Sequence, residues 1–188
     1  MVSRCRSYRR FDERASIGGD TLRGLVALAR QVPSAANRQP LKYVLSCSRE
    51  WNEKIFGTLA WAAYLKEWPG PGPGERPAAY IVVLLDTSIT ASADIDVGIA
   101  AQTILLAAVE QGLGGCMFGS IRREDLAARL ALPQNLAIAV VIALGKPVET
   151  VVLEDLPTGG SIKYYRDAQS VHHVPKRSVA ELIHAVYT

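Results

Sequence analysis

Helices and strands alternate along this chain, and the sequence predicts one domain of mixed helix and sheet. Three observations predict it. Apolar residues at helical spacing recur between short β-rich runs, apolar residues make up 49% and charged residues 21%, and 188 residues lie at the upper end of the usual size for one domain.

Asp20 is a good helix N-cap, and Leu22, Leu25, Val26, Leu28 and Ala29 follow at spacings that build one apolar face, so a helix is expected until near Pro33. Pro33-Ser-Ala-Ala-Asn-Arg-Gln-Pro40 reads as a polar loop held by two prolines, followed by a short strand from Lys42 to Cys47. A second helix is expected from about Glu50 to Leu65. The alternating Pro and Gly of Trp68 to Pro77 support neither helix nor ladder, leaving a loop that is either a surface linker or a flap over a pocket.

Tyr80 to Leu85 is a nearly continuous apolar run, as expected of a strand covered on both faces. From about Asp94 to Gln111 the pattern is helical and apolar almost all round (Ile95, Val97, Ile99, Ile104, Leu105, Leu106, Val109), which predicts a central helix buried on every side and packed in part on a second subunit. Gly112, Gly114 and Gly115 end it. A short helix from Arg122 to Leu130 and a buried strand from Leu136 to Leu144 follow, and the rest is extended until Ser178 caps a last turn or two of helix.

The formal charge of +3 is local, because Arg4, Arg6, Arg9, Arg10 and Arg14 all fall in the first fourteen residues. Such an arm suits nucleic acid, an acidic membrane surface or a single phosphate group, but no helix-turn-helix or finger spacing accompanies it. Cys5, Cys47 and Cys116 are odd in number and far apart, which predicts a reducing compartment without a disulfide framework. No secretory signal is recognisable. The apolar stretch Val97 to Val109 is broken by Gln102 and falls short of the ~20 residues that a spanning helix needs, so a soluble protein is expected. Neither G-x-G-x-x-G nor G-x-x-x-x-G-K-S/T is present, which removes support for a dinucleotide-binding unit of that kind and for a P-loop.

Four segments carry candidate chemistry. Arg6-Ser-Tyr-Arg-Arg-Phe11 offers guanidinium forks and a hydroxyl to a phosphate, or is a solvated arm. Asn37 and Gln39, in the loop between the prolines, each donate and accept, which suits the edge of a planar heterocycle or an ordinary Asn-containing turn. Gly112-Leu-Gly-Gly-Cys-Met-Phe-Gly119 lets backbone amides approach a flat ring, or simply ends a helix. His172-His-Val-Pro-Lys-Arg177 is a second basic pair. Its adjacent histidines point to opposite sides of an extended chain, so a shared metal is not expected.

Taken in order, R-S-x-R at Arg6 to Arg9, P-S-A-x-N-x-Q-P, the helix beginning Asp96-Val-Gly-Ile-Ala, G-L-G-G-C, Leu144-Gly-Lys-Pro147 and Val174-Pro-Lys-Arg177 resemble the nitroreductase family of FMN enzymes, in particular its short members with a terminal V-P-K-R. The resemblance implies an α+β fold over residues 1–188, with a central mixed β-sheet wrapped by helices and assembled as an intertwined homodimer with FMN at the interface. On the family pattern, Arg6, Ser7, Lys176 and Arg177 hold the phosphate and ribityl chain, and Arg9 lies towards the flavin ring. Ser34, Asn37 and Gln39 approach the ring from the partner subunit, while Gly115, Cys116, Met117 and Gly119 line its reactive edge. Two positions depart from the pattern: Cys5 stands where members often carry arginine, and Leu41 where an aromatic often follows Q-P.

The implied activity is cytoplasmic electron transfer from NADH or NADPH to small organic acceptors such as nitroaromatics or quinones, with the chemistry borne by the flavin and Arg9 acting electrostatically. The alternatives are a different flavin reaction such as reductive dehalogenation, and a non-catalytic flavin-binding or redox-sensing protein.

Overall fold

The computed structural model describes residues 1–188, which fall into two compact units: Met1–Trp61 with Pro69–Val148, and Ala62–Trp68 with Glu149–Thr188. The elements of the first are β1 (Phe11–Asp12), α1 (Gly19–Ala29), β2 (Leu41–Ser46), α2 (Arg49–Phe56), β3 (Ala79–Asp86), α3 (Asp94–Glu110), β4 (Gly114–Phe118), α4 (Arg123–Arg129) and β5 (Leu136–Pro147). Those of the second are β6 (Val151–Asp155), β7 (Tyr165–Arg166), β8 (His172–Lys176) and α5 (Val179–Leu182).

In the first unit a five-stranded sheet runs β2-β3-β5, and the far side of β5 carries β4 and then β1. Its ladders are antiparallel, and a parallel bridge from Ser7 to Gly115 at the margin makes it mixed. β3 is the buried strand its apolar run predicts. Ala79, Ile81 and Val83 pack with Leu22 and Leu25 of α1 and with Ala101 and Ile104 of α3, whereas Tyr80, Val82 and Leu84 pack with Ile55 of α2 and Leu126 of α4. Each such aliphatic side chain, fully buried, contributes roughly 1.5–3 kcal/mol. A bulge in β5 opposite Val83/Leu84 is pinned by Arg123, which donates to the carbonyls of Ile138 and Ala139 at 3.1 and 3.2 Å.

Several expectations are corrected. Asp20 is not the cap of α1: Gly18 takes that place without a side-chain bond, and Asp20 sits in the first turn paired with Arg23 at 2.6 Å. Leu28 faces outward from α1. α2 stops at Phe56, nine residues short of Leu65, because the Thr58 hydroxyl folds back to the Ile55 carbonyl at 2.7 Å and Leu59 bridges to Ile121. α3 has the expected length, but within one chain only one face is covered; Ile95 is 76% exposed and Ile99 36%.

The Pro-Gly loop forms no ladder, as expected, yet it is not loose. Phe11 N–H donates to the Glu75 carbonyl at 3.0 Å, Glu13 N–H to that of Gly74 at 3.2 Å, and Arg10 makes a bidentate pair with the Glu75 carboxylate. These bonds fasten the loop along β1 as a fixed connection.

The second unit is a small mixed sheet, with β8 parallel to β6 and antiparallel to β7. Arg166 forms its buried ion pair with Glu149 at 3.0 Å and lies over the Trp68 ring. Ser178 caps α5 as expected, within a full capping box closed by Glu181. No helix is long and apolar enough to cross a membrane.

Candidate functional site

The N-terminal arm is packed against β4. Tyr8 N–H donates to the Gly115 carbonyl at 3.0 Å and Ser7 bridges to the same residue, so two of the four chemical segments meet through their backbones. The Tyr8 ring fills the space a side chain on Gly114 would need, its nearest atom 2.5 Å from that Cβ position. Tyr8 is a residue the sequence reading missed; it occupies the unspecified place in R-S-x-R. Cys5, where arginine was the alternative, accepts from Gln102 of α3 at 3.7 Å and so ties the arm to the helix.

Along the arm, Arg6 is half-buried. Its Nη2 donates to the Val2 carbonyl at 2.8 Å, while its Nε is buried without an acceptor. Ser7 is exposed, and Arg9 donates to the Ser7 carbonyl at 3.2 Å. In β4 the residues alternate. Gly115 is enclosed by Leu105, Leu144 and the Ala143 carbonyl, and Cys116 is buried in the core shared with α2 and α4. Met117 and, just past the strand, Gly119 are exposed, with open space beside Gly119. Packing therefore requires glycine at 115, and in a single chain the surface open to a flat ligand is at 117 and 119.

The loop from Pro33 to Pro40 is held at the start of α3. Ser34 donates its hydroxyl to Oδ2 of Asp96 at 2.5 Å, Ala35 N–H donates to Oδ1 at 3.1 Å, and Gln39 N–H donates to the Ser34 oxygen at 3.0 Å. Gln39 Nε2 also donates to the Asn37 side-chain oxygen at 3.1 Å. Asp96, only 4% exposed, is the second residue whose part the sequence reading missed; it stands first in the Asp96-Val-Gly-Ile-Ala motif but carries no expected role there. A groove of about 460 Å³ between α1, β2 and α3 has Ser34, Gln39, Leu41, Tyr43 and Asp96 in its wall.

A second cleft, of about 520 Å³, is lined by Glu13, Arg49, Glu53, Phe56, Arg76 and Tyr80. It contains none of the predicted site residues. Burial, foremost, pushes the Tyr80 phenol far above its ordinary range.

Within the second unit, Lys176 ends β8 and Arg177 follows it. Both are exposed, and Arg177 lies 3.7 Å from Glu181. The two histidines part as expected of an extended chain. His172 is buried, while His173 offers Nδ1 to Glu154 at 2.5 Å and Nε2 to Asp167 at 3.1 Å. Asp167 first and Glu154 second raise the His173 pKa, and the same bond lowers that of Asp167.

Residues 2–146 match the Nitroreductase family model. The chain belongs to the nitroreductase family. Among relatives of this nitroreductase, a protein of Methanothermobacter thermautotrophicus named "Putative NADH dehydrogenase/NAD(P)H nitroreductase" is 28% identical over 158 residues, covering 80% of this chain and 78% of the relative. A nitroreductase family protein of Clostridium difficile 630 superposes with a TM-score of 0.65 at 20% identity, over 79% of this chain and 83% of the other. An FMN-dependent nitroreductase from Clostridium difficile R20291 gives 0.62 at 19% identity, over 79% and 88%. These structures share the α+β fold.

Proposed function

We propose that this nitroreductase is an FMN-dependent oxidoreductase that passes electrons from NADH or NADPH to small organic acceptors, nitroaromatics or quinones among them, as a cytoplasmic homodimer. The observation that carries the proposal is the seating of the Arg6–Arg9 arm on β4. It joins a segment carrying two arginines, one with a buried and unanswered N–H, to the backbone of the strand that presents Met117 and leads into the open Gly119. A phosphorylated planar cofactor fits that combination of anion donors and flat, uncrowded backbone.

Arg6 and Ser7 would hold the phosphate; Lys176 and Arg177 are assigned to it by the family resemblance. Arg9 would place positive charge by the ring, where it favours the more negative state. Ser34, Asn37 and Gln39 would face the pyrimidine edge from a second copy. Because Gln39 Nε2 is spent on the Asn37 oxygen, the pair keeps one free acceptor, Gln39 Oε1, and one free donor, Asn37 Nδ2. FMN, when bound, supplies hydride acceptance and release, so the protein need provide no nucleophile. The uncovered apolar residues Ile95 and Ile99 of α3 support the homodimer, since a second copy would bury them.

The experiment is anaerobic titration of the FMN-loaded protein with NADH and with NADPH, then addition of a nitroaromatic or a quinone. Bleaching of the flavin band and its return on adding acceptor are expected. A yellow protein that neither nicotinamide bleaches would instead be a flavin carrier or sensor.

A further inference from the structure

We propose that Asp96 is a positioning residue that fixes the direction of a hydrogen-bond relay through Ser34 to Gln39 and so holds the Asn37–Gln39 amide pair in place. The relay is read from the chain itself; that the amide pair faces a flavin rests on the function proposed above.

The loop needs such an anchor. Ala36, Asn37 and Gln39 all have positive φ, at 50°, 53° and 51°, a left-handed region that non-glycine residues avoid unless their surroundings impose it. Ala36 has no polar side chain to favour that conformation. Asp96 grips the strained turn on both sides, taking Ala35 N–H before it and, by way of the Ser34 hydroxyl, Gln39 N–H after it.

Chemistry sets the direction. A carboxylate only accepts, so the Ser34 proton must point to Asp96, which leaves the lone pairs of Ser34 for Gln39 N–H. An amide at position 96 would place an NH₂ group against Ser34 if it kept its oxygen on Ala35. That donor would take one lone pair of the same oxygen and turn the serine proton away from position 96. The released proton would then contend with Gln39 N–H for the remaining side of the oxygen, and Gln39, with the side chain that bonds Asn37 Oδ1, would no longer have an acceptor of fixed direction. Asp96 is buried and touches neither side-chain amide itself, so its action on them passes through Ser34 and the backbone.

The test compares wild type, Asp96→Asn and Ser34→Ala, each first stripped of cofactor and followed by residue-resolved amide hydrogen exchange. Asp96→Asn is expected to speed exchange at Gln39 about tenfold or more, the scale of one lost buried hydrogen bond, while amides of α3 beyond Ile99 keep their protection. Ser34→Ala is expected to free Gln39 and leave Ala35 protected. In the second arm FMN is titrated into all three proteins and the visible circular dichroism of the bound flavin is recorded. A dissociation constant raised about tenfold or more and an altered flavin signal are expected in both variants.

Unchanged exchange at Gln39 in either variant would overturn the relay, as would loss of protection spread evenly along α3. Should Asp96→Asn fail to fold, Asp96→Ala, which leaves the Ser34 proton no carboxylate to point to, takes its place with the same expected result. Freed exchange with unaltered FMN affinity and flavin signal would overturn the positioning role while leaving the proposed function intact. A wild type that ignores FMN would sink the proposed function, and the exchange arm would still decide the relay.

Discussion

A Cβ placed on Gly115 would strike the carbonyl oxygen of Ala143, and it would meet the side chains of Leu105 and Leu144 within 3 Å as well. A backbone oxygen cannot rotate aside. Gly115→Ala is therefore expected to destabilise the first unit by about 2 kcal/mol, the scale of overpacking a full core. Gly119→Ala, where the space is open, is expected to stay within about 0.5 kcal/mol of wild type. Urea denaturation of both variants checks the pair. Equal midpoints would mean that the chain accommodates a side chain equally at both glycines.

Arg9 bonds to the arm's own backbone at the Ser7 carbonyl, at the surface of the sheet and away from its two apolar cores. Arg9→Ala should melt close to wild type yet bind FMN about tenfold or more weakly, the scale of one charge-assisted contact. Fluorescence titration and a thermal scan read the two effects separately. Undiminished affinity would remove Arg9 from the site.

His173 stacks on the Tyr165 ring, 4.7 Å between centroids and 4° from parallel, with a carboxylate at each nitrogen. Its folded pKa lies above the ordinary 6.5, so its contribution is whole below that value and fades as pH rises through the raised pKa. Asp167 has a folded pKa below the ordinary 3.8, so its contribution is present above that value and fades as pH falls through the lowered one. The clip is thus at full strength between 3.8 and 6.5. Amide exchange in β6 and β8 should quicken as pH rises above 6.5, beyond the intrinsic base-catalysed rise. In His173→Phe that excess should vanish.

Glu149, with 1% of its side chain exposed, holds Arg166 in the second unit. Glu149→Ala leaves a guanidinium with little solvent and no carboxylate, which should cost about 3 kcal/mol. Proteolysis within residues 149–188 should rise accordingly. An unchanged cleavage rate would mean that the Trp68 ring suffices to hold Arg166.

What could be read from the chain followed from local pattern. The unbroken apolar run of β3, the length of α3 and the Ser178 cap are stated by consecutive residues, and the structure contains them as expected. α2 was overextended because its end depends on a Thr58 hydroxyl turning inward and a Leu59 bridge to a residue far along the chain. The parallel pairing of β6 with β8 was invisible because both strands are short, partly polar and joined through β7. At the site, the segments announced themselves by residue type, whereas Asp96 did not: its partner Ser34 lies 62 positions away. Gly115 carried the right signal for a different reason, since its missing side chain serves the core.

Every role proposed for the site requires the cofactor-free chain to bind FMN. Titrating wild type and an Arg6→Ala/Arg9→Ala variant into FMN, with quenching of flavin fluorescence as the readout, is predicted to give saturable, stoichiometric binding for wild type and a large loss for the variant. Fluorescence that wild type leaves unquenched, or identical curves for the two proteins, would contradict it.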